Sequence, residues 1–361
     1  MKNVLLITDV NFWAKGAGHR MRISSLVEYL SSRVNLYIAY VGVMSVDVEN
    51  SLESNLKARL WVLEKSKVLS SRGYGQRLKA LLKSKSFDTI IIEYIHNTYF
   101  LNYINDHVKV ILDAHDIISN RTEQFKKFNH GGVLFELSRE TEFKIFEVYD
   151  YIMVLCEPDY KEIISSINSE KVLLCPHYVK QIKHEPRDTV KTIAFIASEY
   201  IPNVDAIAFF LNHCWPIILE KHKVQLHIYG NICNAFDFST YDSVILKGYV
   251  TNLDEAYESI DIVINPVRFG AGLKIKNIEA LSYGKPLVTT THGSRGLDSR
   301  ENTIFMVADE PEDFINAIAS LIENTQLRRT VSKNARKFIK SNFSAKKCFR
   351  PLLDIINSPQ P

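Results

Sequence analysis

Two doubly wound parallel α/β domains in tandem are the fold this sequence predicts, and three observations predict it. Short aliphatic runs alternate with longer stretches of helical period along nearly all of its 361 residues, the pattern of βα units. The runs show little in–out alternation, as expected of strands covered by helices on both faces. A chain of this length takes about two domains at ~100–200 residues each, and a basic break with Pro176 and Pro186 falls at its middle, 176–191.

In chain order, strands are expected at 4–8, 34–42, 89–94, 108–112, 151–156 and 171–175. The segment 22–33 between the first two carries Ile23, Leu26, Val27 and Leu30 on one helical face, and a second helix is expected at 133–149. After the linker come strand 192–198, helix 203–221, strands 224–230 and 244–250, helix 252–259, strand 261–266, helix 273–284, strands 286–291 and 303–307, and helix 311–324. The stretch 326–356 is helical and basic. The domains expected are 1–180, 190–340 and a helical tail 341–361 that packs back on the first.

Composition narrows the function. Lys+Arg 44 against Asp+Glu 41 leaves a net charge of +3, without the basic bias of a nucleic-acid binder. Five widely spaced cysteines with no C-x-x-C fit neither a disulfide framework nor a zinc site and suit a reducing compartment. The first apolar run, Val4–Ile7, is too short for a signal peptide, and no run approaches the ~20 apolar residues of a membrane span. A cytoplasmic protein is expected. Familiar fingerprints fail too. Gly16-Ala17-Gly18 and Gly270-Ala271-Gly272 have Met21 and Ile275 where a dinucleotide motif needs its third glycine. Gly293-Ser294-Arg295-Gly296 is one residue short of a nucleophile elbow. No D-x-D pair follows a strand to hold a metal with a diphosphate.

In an open α/β sheet, ligands sit outside the carboxyl ends of the strands. There the richest segment runs from Asn265 to Pro286: a buried strand, a loop with Gly270 and Gly272, then a helix with Ile275, Ile278 and Leu281 on its core face. Glycines let backbone approach a ligand, and the free N–H groups at the helix start make an anion site. Arg268 and Lys274 place positive charge there, unfavourable for the helix alone and useful once a phosphate is bound. Lys276 and Glu279 share one polar face, as an ordinary surface ion pair also would. In the first half, His115 follows a strand between Asp113 and Asp116, with Arg121 beyond. Gly16, Gly18, His19 and Arg20 form a second glycine loop and helix start.

The run Gly270-x-Gly272-x-Lys274-x-Lys276-x-x-Glu279-Ala-Leu-x-x-Gly-x-Pro-Leu-Val resembles the donor-site motif of the GT-B glycosyltransferases known as group 1 or GT4. Phe195–Ser198 with Pro202–Ala206, Leu226–Gly230, Leu246–Val250, Leu112–Asp116 and Gly16–Arg20 resemble further pieces in the same order. The resemblance spans nearly the whole chain and is most specific at 264–291. It implies a GT-B architecture, two Rossmann-like domains facing each other across a cleft. It implies a metal-independent, retaining transferase without cofactor, moving a sugar from a nucleotide-sugar, UDP- or GDP-linked, to a glycan or lipid-linked acceptor in polysaccharide or lipopolysaccharide assembly.

By position, the resemblance gives Glu279 to the ribose hydroxyls and the backbone of Gly270, Ala271, Gly272 and Leu273 to the sugar and diphosphate. Tyr249 and Val250 go to the base, Gly230 to a strand end lining the donor, and Ser198 to the phosphates. Lys274, Arg268 and Lys276 supply charge, and His115 meets the reacting sugar. Gly16, Gly18, His19, Arg20, Asp116 and Arg121 fall on the acceptor or phosphate side. Two departures stand out: Ala271 replaces the first glutamate of the family's E-x7-E motif, and Glu199-Tyr200-Ile201 stands where basic residues are usual. A nucleotide-sugar epimerase of the same fold and a catalytically degenerate partner subunit remain alternatives. The stretch 65–87, with seven basic residues, no acid and an apolar edge of Leu78, Leu81 and Leu82, suits either a solvated face or a peripheral contact with anionic membrane.

Overall fold

The structure, a computed structural model, describes residues 1–14, 16–64, 70–131, 135–297 and 303–359. It divides into two compact units, one of residues 1–14, 19–177 and 345–361, the other of 15–18 and 178–344. The last helix, Ala345–Asn357, therefore belongs with the first unit.

The first unit is built on strands β1 (Asn3–Thr8), β2 (Asn35–Val43), β3 (Arg59–Glu64), β4 (Thr89–Glu93), β5 (Lys109–Asp113), β6 (Tyr151–Val154) and β7 (Val172–Leu174). They pair in the order β3-β2-β1-β4-β5-β6-β7, every pair parallel. The second unit repeats the plan with β8 (Thr192–Ile196), β9 (Gln225–Tyr229), β10 (Val244–Gly248), β11 (Ile262–Asn265), β12 (Leu287–Thr289) and β13 (Met306–Val307). Their order is β10-β9-β8-β11-β12-β13, again all parallel. In each sheet the order reverses beside the first strand, between β1 and β4 and between β8 and β11. Those are the two places where successive connections leave on opposite sides and open a crevice at the carboxyl ends.

Aliphatic runs make these strands because both faces are covered: β4 and β5 are buried at every position. The opposite sheet edge is finished by a recurring device. An aspartate just ahead of one strand accepts a backbone N–H at the start of its neighbour. Asp88 takes Asn3 N at 2.8 Å, Asp150 takes Val110 N at 2.7 Å, and Asp261 takes Lys191 N and Thr192 N at 2.8 and 3.0 Å.

Several elements differ from the sequence reading. Strand β3 and the helices Val46–Asn55, Ile118–Lys127 and Glu157–Ile164 were not anticipated. The expected helix 133–149 is Arg139–Glu147, with 133 and 134 outside the described residues. The single helix 203–221 is two, Ile201–His213 and Trp215–Lys221, because Pro216 cannot donate into a continuing turn. The tail is likewise two helices, Thr325–Asn342 and Ala345–Asn357. In the basic stretch, Lys65 and Lys67 lie outside the described residues. Within helix Ser71–Ser84, Arg72, Arg77, Lys79 and Lys83 are exposed. Its apolar edge faces inward, however: Leu78 is buried and Leu81 and Leu82 pack on the core. No described helix is long and apolar enough to cross a membrane.

The first unit is tied together by Arg22, whose side chain is 0% exposed. Its Nη2 lies 3.2 Å from Asp113 Oδ2, its Nη1 donates to Pro176 O at 3.1 Å, and the guanidinium lies 4.8 Å from the centre of the Phe349 ring. Lys109 does the same at the other sheet edge. Its ammonium donates to Ile355 O (2.6 Å), Ser358 Oγ (2.8 Å), Ser358 O (3.3 Å) and Pro359 O (3.3 Å). Replacing it by the similarly long methionine leaves those acceptors without their donor. A charged hydrogen bond is worth ~1.5–3 kcal/mol, so Lys109→Met is expected to speed amide exchange across 345–357 about tenfold or more while β4 and β5 keep wild-type protection. Unchanged exchange there refutes the clamp.

Candidate functional site

The crevice of the second unit is assembled by the end of β8, the loop after β11 and the helix Ile275–Ser282. Asn203, in the first turn of helix Ile201–His213, donates from Nδ2 to Ser198 O at 3.0 Å and reaches Ser198 Oγ at 3.4 Å. Its Oδ1 accepts from Lys276 Nζ at 2.6 Å. That contact spans the two sides of the strand-order reversal. Lys276 also lies 4.8 Å from the centre of the Phe195 ring. Burial, reinforced by the charge of Lys274, lowers its amine to about 7. One helical turn on, burial raises Glu279 to about 7, opposed by Lys276. Among the described residues no hydrogen bond reaches the Glu279 carboxylate. Both side chains are half-buried, so each carries a desolvation cost that its present partners do not fully offset. Beside them Tyr257 stacks on Tyr283 at 4.1 Å, and its buried hydroxyl has no hydrogen-bond partner among the described residues.

The loop itself is held from beneath by a buried amide network absent from the sequence reading. Asn265 Nδ2 donates to Asn277 Oδ1 at 2.8 Å. Asn277 Nδ2 donates to Gly293 O at 2.9 Å and to Thr289 Oγ1 at 3.3 Å, and Thr289 Oγ1 donates back to Asn265 O at 2.9 Å. Gly270 and Gly272 take φ +115° and +67°, a backbone that other residues adopt only under strain. His292 belongs here as well. Burial, with Lys274 and Arg295 adding to it, lowers it to about 4 and keeps it neutral.

The three predicted cations fare differently. Arg268 forms a two-point ion pair with Asp205, 3.0 Å from Nε and 2.5 Å from Nη2, and lies 4.8 Å from the centre of the Phe209 ring. Lys274 donates to Ala271 O and Gly272 O, both at 3.1 Å, and so braces the loop. Lys276 meets the neutral Asn203 amide oxygen and the Phe195 ring, and among the described residues no carboxylate pairs with its ammonium within ion-pair distance. The remaining residues of the segment stay near their strand ends. Leu273 is buried, Ala271 and Val250 are half-buried, and Tyr249 is 49% exposed. Gly230 directly follows β9, with φ +96°; its N–H donates to Gly248 O at 2.7 Å.

In the first unit the corresponding crevice gathers Asp9 at the end of β1, Glu93 and Tyr94 at the end of β4, and Asp113 and His115 at the end of β5. His115 Nε2 hydrogen-bonds Glu93 Oε2 at 2.7 Å. Its ring stacks on Tyr94 at 4.1 Å. Both His115 and Tyr94 have positive φ, 62° and 63°, a strained backbone of the kind that collects at functional sites. Burial opposes a charge on His115, but Asp113 and Glu93 outweigh it and raise its affinity for a proton. The sequence reading gave His115 two aspartates as neighbours. The structure keeps Asp113, substitutes Glu93 as the hydrogen-bonded partner, and turns Asp116 to Arg121 at 3.1 Å.

Glu93, Asp113 and His115 offer three ligand atoms within 4.8 Å of one another. Arg22 already faces Asp113, so the protein's own cations balance the two carboxylates. His19 and Arg20 lie in the first turn of helix Gly18–Ser31, where burial and the charge of His115 lower His19 to about 4. Gly16, ahead of it, takes φ +98°. Asp9 accepts from Asn97 Nδ2 at 3.1 Å and pairs with His96 at 2.8 Å, two contacts with no counterpart in the sequence reading.

This architecture is the GT-B glycosyltransferase fold. The chain superposes on TarM with a TM-score of 0.76 at 14% identity, covering 99% of each chain; S. aureus TarM has also been solved with UDP and α-GlcNAc-glycerol. Anabaena HepE, solved with UDP and glucose, gives 0.72 at 13% identity, covering 99% of this chain and 100% of that one. Residues 190–324 match the family Glycosyl transferases group 1. A protein of the Klebsiella pneumoniae cps region is 27% identical over 169 residues, 44% of each chain. The chain thus spans less than half the length of the curated relatives it matches.

A methyl group on Gly230 would sit 2.1 Å from Ala197 O on a backbone at φ +96°. Gly230→Ala is therefore expected to cost about 2–3 kcal/mol or more, read as a lower urea midpoint. An unchanged midpoint means that this strand end is not rigid.

Proposed function

We propose that the protein is a metal-independent, retaining glycosyltransferase whose second unit binds a nucleoside-diphosphate sugar and whose first unit binds the acceptor. The observation that carries this reading is Lys276 beside Glu279. Among the described residues, a cation without a carboxylate in ion-pair contact and a carboxylate without a hydrogen-bond donor lie one turn apart, next to a glycine loop and a helix N-terminus. Glu279 takes the ribose hydroxyls. Lys276 and the loop N–H groups take the diphosphate, and the charge that builds on it during bond cleavage is stabilised where it forms. Support for a diphosphate-linked donor comes also from TarM and HepE, both solved with UDP.

In the reaction, the acceptor hydroxyl oxygen attacks the anomeric carbon on the face the diphosphate leaves, and the anomeric C–O bond breaks. The departing phosphate oxygen takes the hydroxyl proton, so no protein base is required. His115 hydrogen-bonds the sugar. The cps-region relative supports a role in surface polysaccharide assembly.

Calorimetric titration with UDP, GDP, dTDP, CMP and ADP in EDTA is the direct test. One nucleotide is expected to bind. Glu279→Ala should weaken nucleotide and nucleoside alike, and Lys276→Met should weaken the diphosphate far more than the nucleoside. Each loss is ~1.5–3 kcal/mol, or about tenfold to a hundredfold. With Lys276 lowered to about 7, the free amine is mostly neutral at pH 8. A bound diphosphate restores its charge, so binding there should take up a proton, affinity should fall as pH rises above 7, and the uptake should vanish in Lys276→Met. No binding by any nucleotide, or a strict metal requirement, defeats the proposal.

Because Leu78, Leu81 and Leu82 face inward, the basic helix Ser71–Ser84 can meet a membrane only through charge. Vesicles with anionic lipid should retain the protein at low salt and release it at high salt. Neutral vesicles that bind equally well would overturn this contact.

A further inference from the structure

Glu93 has no place in the proposed chemistry, yet it is fully buried in the crevice of the first unit, and one of its oxygens, Oε1, has no hydrogen-bond partner among the described residues. A carboxylate is costly to bury unless charge and hydrogen bonds compensate, and here the compensation runs to His115 at 2.7 Å. The ring is fixed on two sides, by that bond through Nε2 and by Tyr94 stacked 4.1 Å away at 14°. Its backbone is held at φ 62°. No described residue hydrogen-bonds the other ring nitrogen, Nδ1.

We propose that Glu93 is a positioning residue: by accepting the Nε2–H of His115 it fixes the ring's tautomer and orientation, so that Nδ1 is the edge offered to the sugar. This rests on the reading of His115 given above. A histidine whose one nitrogen is committed to a carboxylate presents the other with a defined role. When charged, Nδ1–H donates; when neutral, Nδ1 accepts.

The groups facing the ring pull in opposite directions, and their sum favours the charged form. Asp113 from β5 and Glu93 from β4 favour the cation, while Arg22 and desolvation oppose it. His19 on helix Gly18–Ser31 and His177 beyond β7 are both held neutral, at about 4 and about 3, and so add no competing charge. Tyr94 is pushed upward by burial and by Asp116, and stays an un-ionised stacking face.

The test is 15N-detected imidazole NMR of the full chain, with Glu93→Gln and Glu93→Asp beside the wild type and thermal melts as a folding control. In the wild type, His115 should titrate above 6.5, with Nε2 carrying the proton in its neutral form. Glu93→Gln keeps the shape and removes the charge. It should lower the titration by one unit or more, cut kcat at least tenfold with donor KM within twofold, and move the alkaline limb of the rate profile to lower pH. Glu93→Asp should restore part of both. A His115 titration and tautomer identical in wild type and Glu93→Gln overturns the inference, even if activity falls. Should the titration move while His115→Ala keeps full activity, the pairing stands and the assignment of His115 to the reaction is what fails.

Discussion

An all-parallel sheet sends every connection across one of its two faces, and the chain can open a crevice only where consecutive connections part company. Each sheet has one such place, between β1 and β4 and between β8 and β11. The side chains that meet across each reversal are brought together by this constraint rather than by nearness in sequence. Asp9 meets His96 and Asn97 across the first reversal, and Asn203 meets Lys276 across the second. The two units solve the same topological problem and fill the result with different chemistry. One holds carboxylates balanced by arginine and histidine; the other holds a cation and a carboxylate whose charges are not closed.

That difference has an energetic side. In the first unit Arg22 and Asp113 are wholly buried and face each other, so the charge there is structural and removing one partner strands the other. In the second, burial pushes both Lys276 and Glu279 towards neutrality, which a protein selected for stability alone would relieve with apolar residues. Retaining such groups fits a site that gains its compensation from a ligand.

The fold was largely legible because aliphatic runs covered on both faces leave a plain signature, and the glycine loop after β11 stood out by its spacing. What stayed hidden had no local mark. Strand β3 begins with Arg59, follows a polar helix and is only partly buried, so it reads as a loop margin. Arg22 sits in an amphipathic helix and looks like a solvated base until β5 and the last helix enclose it. Glu93 ends a strand as many surface glutamates do, and only the parallel register placing it beside Asp113 shows what it faces. Arg268 was identified as a charge for the ligand but is claimed by Asp205, four residues into a helix some sixty positions earlier. Asn277, on an otherwise apolar helix face, was the one legible hint of the amide network.

The helix Ala345–Asn357 lies in the first unit although the whole second unit precedes it in the chain. During synthesis at ~5–20 residues per second, β1 to β7 emerge and wait while some 170 further residues are translated. Until then Phe349, Leu352 and Ile356, all buried in the finished fold, are absent, and Arg22 and Lys109 lack part of their surroundings. The first half of the protein is thus the last to be completed. Any event that shortens or obstructs the final helix strikes the amino-terminal unit, while the carboxyl-terminal one can mature undisturbed.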